Sequence, residues 1–576
     1  MRKPNYDTHP YTKVEGEILQ GWKDVLSTLN ENLSKTNVLA IDTYVGVHND
    51  ELKAELKKLA ADEFIMMTDL MKSETDIKAM TLPFMTEDTL FGYVTNLRMV
   101  DFFDKAKLES AREKLSKGKS KTVIYGIGAS LIAPDDAKLV YADMARWEIL
   151  LRFRKNSVVA LGVDDRNEPY STQYKRGYFI DWIVCDYYKD KLFHRVDLWL
   201  DTHVANEPKM ITKEVFFKGM KKTIARPFRV VPFFAPAPWG GQWMKKHLGL
   251  DPSEINYGWC FDCVPEENSL LFKVQDTLFE LPSNDIVLLE SRKLLGEPVE
   301  ARFGKDFPIR FDLLDTFDGG SLSFQVHPTA NFIKEQFGMS YTQDESYYMI
   351  DVAEGGTVYL GLNDNVEPEE MIRDLKRAEK GEIEFDAEKY GNLVQAKKHD
   401  HYLIPGGTVH CSGPNGLVLE ISSTPNLFTF KLWDWGRIDL DGKPRPINVD
   451  RGMEVIQWHR DKKYAEEKLI NALVPIAHGE GWMEEKTGLH EAEFIETRRH
   501  KFTSKVHHHT NNSVNVLNLV EGEEVIVESV DGSFEPFVVH YAETFIVPAW
   551  LNEYTIRPYG KSLGKECMTI KAYIRF

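Results

Sequence analysis

The sequence predicts a multidomain chain of α/β plus mainly β class, a layered α/β domain over residues 1–225 followed by β-domains built on short strands. Three observations carry this reading. The 576 residues exceed the roughly 250–300 that one hydrophobic core organises, so three or four domains are expected. Up to Arg226, strand-like and helix-like segments alternate, as in a layered α/β domain. After Pro227 the chain turns to short apolar runs broken by Gly, Pro, Asn and Asp, which suits a β-sandwich or barrel.

In chain order, NVLAIDTY (Asn37–Tyr44) is a β-rich run, and HNDELKAELKKLAADEF after it has helical periodicity with an Asn/Asp start. TVIYGIGASLI (Thr122–Ile132) is a second buried-strand candidate, and YADMARWEILLRF and GYFIDWIVCDYY continue the alternation. The β-domain is spelled by RVVPFF, LSFQVHP, TVYLGL, HYLIPGGTVH and LVLEIS. One helical passage interrupts it from Pro368 to Lys398, where MIRDLKRAEKGEIEF and AEKYGNLVQAKK lack strand alternation. From RRHKFTSKV to IKAYIRF strands and turns return, predicting a second, smaller β-domain. YLIPGGTVH (Tyr402–His410) and TFIVPAWLNEY (Thr544–Tyr554) echo one another, which hints at two related barrels.

Composition narrows the partners. A formal charge of −18 repels phosphate backbones and anionic membrane surfaces, so nucleic acid is a poor partner. No stretch approaches the ~20 apolar residues of a membrane span and no apolar run follows the basic start, so a cytoplasmic protein is expected. Five cysteines without framework spacing suit a reducing compartment. Cys260 and Cys263 form a CxxC with no second pair, which favours buried thiols over a zinc site.

Candidate chemistry starts in SLSFQVHPTANF (Ser321–Phe332), where Ser323, Gln325 and His327 recur at every second position. In a strand these three share one face. Gln325 and His327 could reach one point, Glu345 opens the next β-like run in DESYYMID, and His410 follows the glycine turn of PGGTVH. Such a mixed nitrogen and oxygen set suits zinc or another first-row divalent ion. A solvent-facing strand is the competing reading of the same spacing. In VHHHTNN, His507 and His509 could share a face, but a histidine-rich turn without a metal is favoured.

QVHP, DESYYMID, PGGTVH followed by CSG, LEIS, and TFKLWDWGR with DGKPRP after it resemble, in this order, the type I mannose-6-phosphate isomerases. APAPWGGQWM (Ala235–Met244), GWCFDCVPEENS, VLNLVEGEEV and ETFIVPA extend the resemblance over residues 226–576. It implies a zinc enzyme on two cupin (jelly-roll) barrels with a helical insertion, interconverting an aldose phosphate and a ketose phosphate through an enediol. The domains expected from it are a metal-binding barrel over 226–366 and 399–440, a helical insertion over 367–398, a helical or linker segment over 441–495, and a C-terminal barrel over 496–576. The zinc ligands it implies are Gln325, His327, Glu345 and His410, for one ion per chain. Ser323 and Trp239 would face the substrate, and Lys431, Arg437 and Asp434 would serve catalysis, with Lys431 standing where the family usually has arginine.

Two departures bear on the substrate. The family commonly has a lysine two residues before the metal-binding glutamate and another in the strand before QVHP; this chain has Gln343 and, near the second position, Asp312. Lysines supply point charge to a phosphate, so an unphosphorylated sugar stays open beside mannose 6-phosphate. A sugar-binding sensor that keeps the metal without turnover, and a metal-dependent cupin oxygenase, are the alternative functions. The first 225 residues lie outside the resemblance. IYGIGAS (Ile124–Ser130) follows a strand as a phosphate loop would but lacks a GK[ST] ending, so this region resembles only faintly a nucleoside- or nucleotide-kinase core without its phosphate loop.

Overall fold

The computed structural model describes residues 3–118, 120–424, 427–438, 447–488 and 490–576. The DGKPRP segment, Asp441 to Pro446, lies outside them. Two units are resolved: Tyr11–Thr223 with Pro265–Leu289, and Met1–Pro10 with Ile224–Val264 and Glu290–Phe576.

In the first unit the run of Asn37–Tyr44 yields the strand Val38–Thr43, buried at every position. A strand covered on both faces is a continuous apolar run of this kind, typical of a parallel sheet. The helix before it, Gly21–Thr36, buries Val25, Leu29 and Leu33 at four-residue spacing and stops at Asn37, whose left-handed backbone returns its N–H to Leu33. The seven-stranded sheet runs in the order Ile18–Gln20, Lys209–Thr212, Leu198–Asp201, Lys138–Asp143, Val38–Thr43, Thr122–Tyr125, Glu63–Met66. The last five are mutually parallel, Lys209–Thr212 runs antiparallel to them, and Ile18–Gln20, antiparallel to Lys209–Thr212, runs in their direction again. The expected α/β domain is therefore present as a mixed α/β sheet.

This unit also takes in residues that the sequence reading gave to the barrel. Ser269–Val274 and Thr277–Pro282 form a hairpin whose first strand pairs in parallel with Thr12–Val14. The physical reason is long-range pairing, which no local pattern announces.

The second unit contains antiparallel sheets in two pairs, consistent with a cupin-type fold. The first pair holds six strands, among them Ile309–Asp315, Glu345–Val352, His401–Ile404 and Gly416–Ser423, and five strands, Gly391–Gln395, Thr357–Leu362, His410–Ser412, Phe324–Val326 and Phe430–Trp433. The expected helical insertion contains the helix Pro368–Glu379, but Gly391–Gln395 within it is an edge strand paired with Thr357–Leu362. The second pair encloses a core of Leu517, Leu519, Val525, Val527, Phe545 and Ile556, contributed by both of its sheets. Of the segment read as helical or linker, Val474–Gly479 and Trp482–Gly488 instead form a hairpin that extends the C-terminal sheet through Ile495–Phe502.

Candidate metal centre

The polar row of Ser323, Gln325 and His327 runs along and just beyond a short strand. Only Phe324–Val326 is strand, and it lies between His410–Ser412 and Phe430–Trp433. Its neighbours are buried on both sides: Phe324 meets Tyr359 edge-on at 5.7 Å, while Ser323, Gln325 and His327 are at most 8% exposed. The solvent-facing reading is thereby excluded. Direct pairing of Gln325 with His410 puts both side chains on one face.

Two imidazoles and a carboxylate converge there. His327 Nε2 lies 2.8 Å from Glu345 Oε2, and His410 Nε2 lies 3.3 Å from Glu345 Oε1. His410 lies on one sheet, His327 directly follows a strand of that same sheet, and Glu345 lies on the other, so the site lies inside the barrel. Each histidine is tethered through its other nitrogen: His327 Nδ1 donates to the carbonyl of Phe428 at 3.2 Å and His410 Nδ1 to that of Thr408 at 2.9 Å. The tethers fix the tautomer and aim both Nε2 lone pairs inward, the usual outer support of a metal site. Ligand atoms of His327, Glu345 and His410 all lie within 4.8 Å of one another. Burial alone would raise the Glu345 carboxyl, but the two imidazoles, when protonated on both nitrogens, outweigh it and hold it below the ordinary carboxylate range.

The remaining expected residues fall as follows. Gln325 accepts from Ser323 Oγ at 2.6 Å through Oε1 and sets its amide nitrogen 3.3 Å from His410 Nε2. A half-turn of the amide exchanges oxygen for nitrogen. Lys431 is half-buried and pairs directly with Gln325 across the strands, so it shares the ligand face. Asp434 is buried and its carboxylate lies 3.5 Å from Arg437 Nη1. Arg437 reaches over Gly320, where an added Cβ would sit 2.8 Å from its Nη2. Trp239 is buried edge-on against Trp259, and its carbonyl accepts from Gly320 N–H at 2.9 Å.

The lysine departures have structural consequences. Gln343 donates to Glu345 Oε2 at 3.2 Å, and Asp312 takes Arg310 Nη2 at 2.9 Å, so a neutral amide and a compensated pair stand in place of two cations.

Glu420 was not singled out from the sequence. It pairs with Tyr347 and Asp312, while Ser422 pairs with Glu345, which puts Glu420 on the Glu345 face. Burial first, then the charges of Glu345 and Asp312, push its carboxyl well above the ordinary range. The alternation of Glu420 and Ser422 within an otherwise apolar run was the available signal.

The histidine run of the C-terminal barrel divides as alternation requires. His507 and His509 are exposed and His508 is buried, stacked on Tyr554 at 4.9 Å and 4.4 Å from the His500 ring. All five cysteines are buried.

Residues 21–225 match the family described as a domain of unknown function, DUF8485. The chain is 27% identical over 248 residues to mannose-6-phosphate isomerase ManA of Bacillus subtilis, covering 43% of this chain and 69% of that protein. It is 26% identical over 220 residues to mannose-6-phosphate isomerase of Streptococcus mutans, covering 38% of this chain and 64% of that one. Among solved structures, the mannose 6-phosphate isomerase of Bacillus subtilis aligns over 61% of this chain and 100% of its own, with 19% identity and a TM-score of 0.49. No helix among the described residues is long and apolar enough to cross a membrane. The chain thus joins an N-terminal DUF8485 domain to a region distantly homologous to the type I mannose-6-phosphate isomerases.

Proposed function

We propose that the protein is a metal-dependent aldose–ketose isomerase interconverting mannose 6-phosphate and fructose 6-phosphate. The observation that carries this is the convergence of His327 Nε2, His410 Nε2 and the Glu345 carboxylate inside the barrel, each imidazole held by a backbone carbonyl. This donor set fits zinc, with His327, His410, Glu345 and the Gln325 oxygen as holders. When bound, the ion supplies a Lewis acid that polarises the sugar's oxygens.

The protein's own groups account for the rest of the reaction. Isomerisation moves a proton between adjacent carbons of the open sugar, so it needs a proton carrier beside the polarised oxygens. Glu420, on the Glu345 face and displaced toward its neutral form, fits that role. Lys431 faces the same interior and is suited to stabilise enediolate charge. Arg437, tied to Asp434, offers a cation for the phosphate. Ser323 positions the Gln325 amide from 2.6 Å, donating to Oε1 in the present orientation and accepting from the amide nitrogen when the oxygen is turned toward the ion.

The test is metal analysis of the purified chain followed by coupled assays on mannose 6-phosphate and on free mannose. Zinc near one per chain with turnover of the phosphorylated sugar supports the reading. Turnover of the free sugar alone would reassign the substrate, as the Gln343 and Asp312 positions allow. Zinc without turnover of any aldose or aldose phosphate would leave a sugar-binding sensor.

A further inference from the structure

The α/β unit contains a cavity of about 320 Å³ whose wall comes from the carboxyl ends of three neighbouring parallel strands, Val38–Thr43, Thr122–Tyr125 and Glu63–Met66, with the segments that follow them, and from residues 159–164. Its position is topologically marked. The chain leaves Val38–Thr43 toward the Glu63–Met66 edge, but leaves the adjacent Thr122–Tyr125 toward Lys138–Asp143 on the opposite side. In open α/β sheets, ligands bind outside the carboxyl ends of strands where connections diverge in this way.

The glycine loop of IYGIGAS is not the anion binder there. The N–H groups of Gly128 and Ser130 both donate to the carboxylate of Asp42, at 2.9 and 2.8 Å, so an internal anion already fills the loop. What the cavity offers is different. Lys53 and Lys72 line it, and neither makes an ion pair among the described residues. The two carboxylates of the wall are engaged elsewhere: Glu74 with Lys78 at 2.7 Å and Asp164 with Arg166 at 2.5 Å. Asn49 accepts the Tyr125 hydroxyl at 2.7 Å through Oδ1, which leaves its amide nitrogen as a donor. The opposite character comes from Met66, Met67 and Met71, whose flexible thioethers make favourable contacts with flat aromatic rings. Two uncompensated ammonium groups and an amide donor suit a phosphate dianion, and three methionines suit a planar ring. A volume near the lower bound of small-molecule sites, roughly 300 Å³, admits a mononucleotide and not a dinucleotide.

We propose that this cavity binds an aromatic organic phosphate of the nucleoside 5′-monophosphate class, its phosphate met by Lys53, Lys72 and the Asn49 amide and its base by Met66, Met67 and Met71. Nothing in this assignment depends on the metal centre or its chemistry.

The experiment is isothermal titration of the full chain with AMP, GMP, CMP and UMP, with adenosine and ribose 5-phosphate as half-ligands. At least one monophosphate should bind at one per chain, and each matching half-ligand should bind at least about tenfold more weakly. Lys53→Met with Lys72→Met should weaken binding by about thirtyfold or more, and Asn49→Asp, which sets a carboxylate against the phosphate, by about tenfold. Thermal melting without ligand establishes that each variant is folded. Failure of all four monophosphates to bind would overturn the proposal. So would ribose 5-phosphate binding as tightly as the best monophosphate, or folded variants binding like the parent chain.

Discussion

At the scale of the residue, the candidate metal centre depends on orientation more than on residue type. His327 and His410 could each present either nitrogen, and the carbonyls of Phe428 and Thr408 decide that Nε2 faces Glu345. Removing an inward donor leaves the others in place but breaks the set. Under the proposed zinc-dependent function, His327→Ala should therefore lower bound metal from about one ion per chain to under a tenth in elemental analysis, since even the outer support of such ligands is worth about 10- to 100-fold in affinity. Unchanged metal content would refute the ligand assignment. Lys431 makes a separable prediction because it shares the face without belonging to the donor set. Lys431→Met should cut kcat/KM on mannose 6-phosphate by about 100-fold, the usual loss for a group that stabilises developing charge, with zinc content unchanged. The residues proposed as ligands were legible in the sequence for different reasons. Gln325 and His327 show themselves by period-two polarity in an apolar strand. Glu345 and His410 stand out only as parts of an ordered family pattern, because their meeting in space is made by strands 18 to 85 residues apart in hydrogen-bond partners. Glu420 in LVLEIS had only its alternation with Ser422 to mark it, within a run that is otherwise apolar.

At the scale of the element, legibility follows burial and edge position. Val38–Thr43, covered on both faces, was plain from composition. Gly391–Gln395 was not, because it is an edge strand flanked by helix-favouring residues and only its first two positions are buried. Val474–Gly479 is exposed along its whole length and carries Pro475, features of a strand at a sheet edge. Phe324–Val326 is the opposite case: three residues between two strands, buried throughout. Its outward face is packed, with Phe324 at 5.7 Å from Tyr359 and 5.9 Å from Phe385. Phe324→Ala should cost about 3 to 5 kcal/mol in urea unfolding, the range for a large core ring. The strand Val506–His509 supplies a control. His507→Ala and His509→Ala, on its exposed face, should each stay within about 0.5 kcal/mol.

At the scale of the whole molecule, the sequence conveyed the class of each region and the existence of two barrels, but not the return of Pro265–Leu289 to the α/β unit. That return rests on pairing between residues more than two hundred positions apart, as in Thr12 with Phe272. Buried charge, by contrast, has a global readout in pH. In the second unit His401, His500 and His508 are buried, and burial is the leading cause that lowers His401 to about 3, His500 to about 4 and His508 well below the ordinary value. His500 Nδ1 and both nitrogens of His508 find no hydrogen-bond partner among the described residues. The groups facing the pair are Glu484, which favours the charged form of His500, and Lys571 and Arg498, which oppose it. These histidines are neutral when folded and charge on unfolding. Their stabilising contribution is therefore complete above the unfolded value near 6.5 and is lost as pH falls toward 3 to 4. Buried carboxyls act in the opposite sense over the same range. Asp344 is raised to about 6 and Asp315 to about 7, mainly by burial, so their contribution is complete near pH 4 and lost as pH rises through those values. The parent chain sums both effects, and a difference curve separates them. His508→Phe keeps an aromatic ring against Tyr554 and removes one ionisation. Relative to the parent, the variant should gain on the order of 2 to 3 kcal/mol between pH 7 and pH 4.5, two units below the unfolded histidine value. Thermal melting across that range measures it, and parallel curves for the two proteins would mean that His508 takes up its proton within the fold.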